Sequence, residues 1–245
     1  MKVALFVTCV VDGVVPGVAK ATARLLERLG VSVEMPWSQT CCGQMHVNSG
    51  YPRDAISLVR NHVSTFERYD AIVTPSGSCA AAVRHQHVDV ACLAGDEALA
   101  SAAGGVAERT YELSQFLVDV LGVTDVGAYF PHRVTYHPTC HSLRLLRVGD
   151  RPVRLLRDVA GIDLVELPDA DQCCGFGGMF ALKNSAVSGA MLADKVAAIR
   201  TTSASVCAAG DASCLLHIGG GLSRLNTGVG TRHLAEILAA TRSDP

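Results

Sequence analysis

Eight of the ten cysteines stand in two matching quartets: Cys9, Cys41, Cys42 and Cys79, then Cys140, Cys173, Cys174 and Cys214. The second set follows the first at displacements of 131, 132, 132 and 135 residues, and each contains a Cys-Cys-Gly triplet, Cys41-Cys42-Gly43 and Cys173-Cys174-Gly175. Thiolates are soft ligands, and four of them suit either a zinc ion or an iron–sulfur cluster. Compact zinc sites use two short Cys-x2-Cys knuckles, whereas here 31 and 36 residues intervene in one half and 32 and 39 in the other. Such a site needs a complete fold to assemble it. Adjacent sulfurs on an extended backbone point apart, which suits separate corners of a multi-iron cluster better than one tetrahedral ion. Gly43, Gly175, Gly177 and Gly178 are the matching cofactor-binding candidates, because glycine permits close backbone approach and lets its amide aim at sulfur.

Other uses of the sulfur are weaker. Structural disulfides are not maintained in reducing cytosol, and bridging adjacent cysteines strains the peptide between them. A thiol–disulfide enzyme needs an accessible, low-pKa thiolate, but no thioredoxin-like Cys-x-x-Cys occurs and two quartets exceed its needs. Cys92 and Cys207 fall outside the repeat and read as buried small hydrophobes. His46, His137 and His141 lie near ligand cysteines, where imidazole could ligate, donate a proton or hydrogen-bond sulfur. None has a signature of its own, so each reads as structural or exposed, and His85 and His87 read as a solvated face. Asp12, Asn48, Arg53 and Lys183 read as ordinary surface groups. Gly13 and Gly17 do not complete a dinucleotide fingerprint.

Elements must carry these residues to common points, and the chain has the material. With 49% hydrophobic residues against 18% charged, it can bury a substantial core. A formal charge of −2 with no Lys/Arg cluster argues against a nucleic-acid surface. The apolar start at residues 3–11 lacks a small-residue cleavage site and reads as a first strand, no stretch reaches the about 20 apolar residues of a spanning helix, and the expected location is cytoplasmic.

Short β-branched runs alternate with helical patterns, the signal for parallel strands joined by crossover helices. In the first half we expect strands at 3–7, 31–35 and 71–74 and helices at 16–29 and 51–69; residues 98–107 are a loop or short helix, and 112–121 a closing helix. The second half repeats the order, with strands at 133–137, 164–167 and 205–209 and helices at 153–160, 187–200 and 233–240. The expected fold is α/β: two tandem pseudo-symmetric Rossmann-like units, 1–125 and 131–245, with mainly parallel sheets. Each cysteine follows a strand, at the carboxyl edge where open parallel sheets place their ligands.

Thr40-Cys41-Cys42-Gly43-Gln44, Thr74-Pro75-Ser76-Gly77-Ser78-Cys79, Tyr136-His137 with Cys140-His141, and Cys173-Cys174-Gly175-Phe176-Gly177-Gly178 together resemble the cysteine-rich CCG-domain iron–sulfur proteins. That group includes the cysteine-rich component of heterodisulfide reductase and the iron–sulfur component of glycolate oxidase, and the resemblance is greatest to the lactate utilization protein A family, over nearly the whole chain. It implies an electron-carrying subunit in the oxidation of L-lactate to pyruvate, an NAD-independent oxidoreductase system. It further implies a ferredoxin-type iron–sulfur partner, a third lactate-utilization protein, and the eight repeated cysteines as ligands of iron–sulfur clusters, [4Fe-4S] in type and at most one per repeat. The wider family often ends its domain in Cys-x-x-Cys; here Ser76 and Asp211 replace the earlier cysteine, which removes the five-cysteine set of noncubane clusters. Zinc held for folding alone stays open as the alternative.

Overall fold

The structure, a computed structural model, describes residues 1–243. The chain divides into two compact units, one ending at Phe116 and the other beginning at Leu117. In the first, strands β1 (Val3–Leu5), β2 (Val33–Glu34), β3 (Ala71–Thr74) and β4 (Thr110–Glu112) form an all-parallel sheet in the order β2-β1-β3-β4. In the second, β5 (Arg133–His137), β6 (Asp163–Val165), β7 (Val206–Ala209) and β8 (Gly230–His233) repeat it as β6-β5-β7-β8. Every residue of β1, β3 and β7 is buried, as expected of inner strands covered on both faces by crossover helices.

The repeat is exact in register. Val3 pairs with Ala71 in the first sheet and Val134 with Val206 in the second. Those displacements, 131 and 135 residues, are the ones that carry Cys9 to Cys140 and Cys79 to Cys214. The sulfur pattern and the hydrogen-bond ladder therefore report one duplicated unit.

The expected helix at 16–29 forms over Gly17–Arg28, that at 51–69 as a 3₁₀ turn Pro52–Ala55 running into Ile56–Phe66, and that at 187–200 over Ser185–Thr201. Residues 98–107 belong to the helix Glu97–Glu108, started by Asp96, whose carboxylate accepts the Leu99 amide. Residues 112–121 differ from expectation: the segment opens as the last residue of β4, and Glu112 then caps the helical turn Leu113–Gln115 before a π turn at Phe116–Val120. Both fourth strands escaped the sequence reading because they are short and polar, and β8 contains Gly230, Thr231, Arg232 and His233. Glu112 and His233 occupy matched strand ends and each caps the helix that follows, His233 within a capping box with Glu236.

The helix Ala212–Arg224 carries Gly219-Gly220-Gly221 in its interior, where glycine is unfavourable. Packing explains the third of them: a Cβ at Gly221 would meet Leu192 and Val196 at 3.1 Å. The glycine lets the helix lie close on Ser185–Thr201.

Candidate metal centres

Both units lead their strands into the site in the same way. Cys9 opens the helix Cys9–Val14 beyond β1, Cys41 and Cys42 lie in the segment after β2, and Cys79 stands in the first turn of Gly77–His85 beyond β3. Because the chain runs from β1 to β2 on one side and from β3 to β4 on the other, the connections leave the carboxyl ends of β1 and β3 in opposite directions, which is where sheets of this kind open a crevice. Cys140 after β5, Cys173 and Cys174 after β6, and Cys214 after β7 occupy the equivalent crevice of the second sheet. In each set the second member of the adjacent pair and the last cysteine are buried, while the other two reach the surface in part or fully.

Within each quartet the sulfurs form a string of neighbours. Cys9 Sγ lies 3.7 Å from Cys41 Sγ, Cys41 hydrogen-bonds with Cys42, and Cys42 with Cys79. The string Cys140, Cys173, Cys174, Cys214 repeats this. Cys41 is held far below the usual thiol range by hydrogen bonds from Cys42 and Cys9 and by the Gly43 amide, which donates to its Sγ at 3.4 Å. Cys173 is held down likewise by Cys140, then Cys174, and by the Gly175 amide at 3.3 Å. Hydrogen bonding to that neighbour, followed by burial, pushes Cys9 and Cys140 up, and hydrogen bonding to that neighbour and then to Cys79 or Cys214, followed by burial, pushes Cys42 and Cys174 up. A bound cation would offset the repulsion among neighbouring thiolates in such a string.

This donor set fits a metal centre. The interval of 3.7 Å between Cys9 and Cys41 matches one edge of a tetrahedral zinc site, since Zn–S bonds of about 2.3 Å place sulfurs about 3.8 Å apart. The whole quartet does not. Among the described residues, the three donor atoms lying mutually within 4.8 Å are those of His137, Cys174 and Cys214, so neither string of four sulfurs closes on a single point. An extended string with backbone amides aimed at its middle sulfur suits the spaced corners of a cluster.

Gly43 and Gly175 adopt φ of +80° and +90°, the left-handed conformation that turns their amides back to sulfur. Gly177 and Gly178, at +52° and +62°, lead into the helix Met179–Lys183. Ser76 and Asp211, expected from the resemblance to stand in place of cysteines, serve as helix N-caps, Ser76 accepting from the Cys79 amide and Asp211 from the Ser213 amide. They hold the turns that present Cys79 and Cys214. Thr139, just ahead of Cys140, has φ of +55°, which is uncommon for a β-branched residue.

Several polar groups differ from their sequence reading. His87 is buried rather than solvated, and its Nε2 lies 2.8 Å from the Cys42 carbonyl oxygen. His62, not singled out by the sequence, is buried beside it with ring centroids 4.9 Å apart; burial, and then His87, hold it neutral. Lys195 is also buried, donating to the Asp169 carbonyl at 2.7 Å, close enough to Cys174 and Cys207 for its charge to act on both. The signal for these residues was helical spacing: His62, Val63 and Phe66 match Lys195, Val196 and Ile199 as the buried stripe of their helices. His137 is buried, whereas His46 and His85 are exposed and His141 is partly so. Asp12, Asn48, Arg53 and Lys183 are exposed, as expected of surface groups.

Cys207 is buried as expected, with burial pushing its thiol up to about 12, but Cys92 is exposed. Its position at the end of the helix His87–Leu93 turns it outward. Iodoacetamide at pH 8 should therefore modify Cys92 rapidly and leave Cys207 intact, with Cys41 and Cys173 reacting only once metal has been removed. Peptide mass spectrometry on loaded and stripped protein checks all four; early labelling of Cys207 would contradict its burial.

Comparison with known proteins places this geometry in context. The family described as CCG: Cysteine-rich domain matches at residues 3–84 and again at 134–219, once per unit. The chain is similar to Lactate utilization protein A of Bacillus pumilus (strain SAFR-032), 46% identical over 238 residues, covering 97% of this chain and 99% of the relative. The protein of that name from Geobacillus kaustophilus (strain HTA426) is 47% identical over 241 residues, 98% of this chain and 99% of its own length. That of Oceanobacillus iheyensis is 44% identical over 243 residues, covering 99% and 98%.

Proposed function

This chain belongs to the cysteine-rich CCG domain family, within the lactate utilization protein A family, and from that premise we propose that it is an electron-carrying subunit in lactate utilization. The observation that carries the proposal is the duplicated quartet itself, gathered twice at the carboxyl edge of a parallel sheet with an amide directed at a thiolate. In this reading Cys9, Cys41, Cys42 and Cys79 hold one iron–sulfur cluster, [4Fe-4S] in type, and Cys140, Cys173, Cys174 and Cys214 hold another. A bound cluster supplies one-electron chemistry. The residues of the chain hold it, direct amides at sulfur and screen its inner side from water with the buried cysteines and core. The Gly177-Gly178 turn belongs to the second cradle.

The system oxidises L-lactate to pyruvate, and the companions of this subunit are a ferredoxin-type iron–sulfur protein and a third lactate-utilization protein, in a cytoplasmic setting. Among the described residues no helix is long and apolar enough to cross a membrane. The 3.7 Å interval between Cys9 and Cys41 favours a second reading, zinc held for folding.

Iron, acid-labile sulfide and zinc, assayed on protein purified without oxygen, separate the two. Iron and sulfide in near-equal amounts, with a visible band that bleaches on reduction, are the expected result. Zinc without sulfide would overturn the electron-carrying role and leave the quartets as folding sites.

A further inference from the structure

The two crevices share a backbone and a sulfur pattern but differ at inward positions, among them that of His137. His137 is the last residue of β5, and the displacement of 131 that relates Val3 to Val134 and Cys9 to Cys140 relates it to Phe6. Phe6 packs in the first unit against His62 and Phe66, with ring centroids 4.8 and 5.5 Å away. His137 is 1% exposed, and neither Nδ1 nor Nε2 has a hydrogen-bond partner. Buried polar groups are almost always paired, so an imidazole with two unpaired nitrogens calls for a ligand. A ring nitrogen of His137 lies within 4.8 Å of both Cys174 Sγ and Cys214 Sγ, and Cys174 and Cys214 are themselves within that distance of each other. The second unit thus gathers one nitrogen and two sulfurs in a dry corner, where the first presents a phenyl ring.

We infer that His137 is a nitrogen ligand of the second centre, taking the corner that one of its four cysteines would otherwise fill, making it a mixed imidazole–thiolate site while the first is ligated by thiolate alone. The inference rests on the metal-centre reading above. Imidazole suits iron and zinc alike. Exchanging an anionic thiolate environment for one with a neutral donor raises the potential of an iron–sulfur centre. Two repeats of one ancestral unit would then carry centres of different potential.

The test is pulsed electron paramagnetic resonance on anaerobically purified, reduced full-length protein grown with ¹⁵N-histidine. A strong ¹⁵N hyperfine coupling is expected in the unmodified protein. His137→Phe, which installs the residue of the first unit, should abolish that coupling and move the second centre to a more negative midpoint potential, while His141→Ala should keep the coupling. Iron and sulfide present with no strong nitrogen coupling, or a coupling that survives His137→Phe, would overturn the inference and leave the electron-carrying reading intact. Absence of iron and sulfide would overturn both. Should His137→Phe fail to fold by circular dichroism, the labelled unmodified protein decides by itself.

Discussion

Cys174→Ser is expected to remove the second centre and lower the iron and sulfide content of the protein by about half, with lactate-dependent electron flow falling to background. Cys174 is the deepest sulfur of its string, 1% exposed, and it touches both Cys173 and Cys214, so its loss divides the donor set. Serine has nearly the same shape but offers a hard alcohol that does not replace a thiolate on iron. The buried hydroxyl costs about 1–3 kcal/mol, less than the stability of a typical domain, so the fold should survive. Cys42→Ser, its counterpart in the first unit, should remove the other half of the iron. Metal analysis and far-ultraviolet circular dichroism on both variants check this. Unmodified iron content and turnover in both would refute the ligand assignment.

Gly175→Ala should be more damaging than the same change at its counterpart Gly43. At φ of +90° a side chain strains the backbone by about 1–3 kcal/mol. The added Cβ would also lie 2.6 Å from the Ser188 carbonyl oxygen and 3.0 Å from Met191 Cβ, so the helix Ser185–Thr201 would have to move. That helix cannot shift freely, because Ser188 Oγ donates to the Gly175 carbonyl at 2.8 Å and Gly221 is packed against Leu192. The amide that donates to Cys173 would turn away, so a loss of second-centre iron should accompany the fall in stability. At Gly43 the nearest atom to an added methyl is Ala55 Cβ at 3.1 Å, a contact a small shift relieves. Gly43→Ala should therefore cost mainly the backbone strain. Denaturant midpoints and iron content of the two variants give the comparison; equal losses would mean that the Ser188 contact yields.

The repeat was legible in the chain because cysteine is rare and its spacing survives as a count: displacements near 132 residues announced two units before any strand was placed. The inner strands were legible too, since β1, β3 and β7 are buried on both faces and must read as continuous apolar runs. The outer strands β4 and β8 were not, because edge strands of three or four residues carry no periodicity that a short polar sequence can show.

Which residues could bind metal, and that they come in two sets, follows from residue type and spacing alone, because sulfur chemistry is written in them. That the two sets are unequal emerges in the folded chain. Phe6 and His137 hold the same strand position, and His62 and Lys195 the same place on the buried stripe of their helices, but equivalence of that kind is defined by register and burial rather than by neighbouring letters. The same holds for Ser76 and Asp211, which the resemblance reads as missing cysteines and which in three dimensions are a pair of helix caps. A ligand set depends on which atoms converge on one point, and residues 37 or more apart, such as His137 and Cys174, converge only once the sheet has fixed their strand ends.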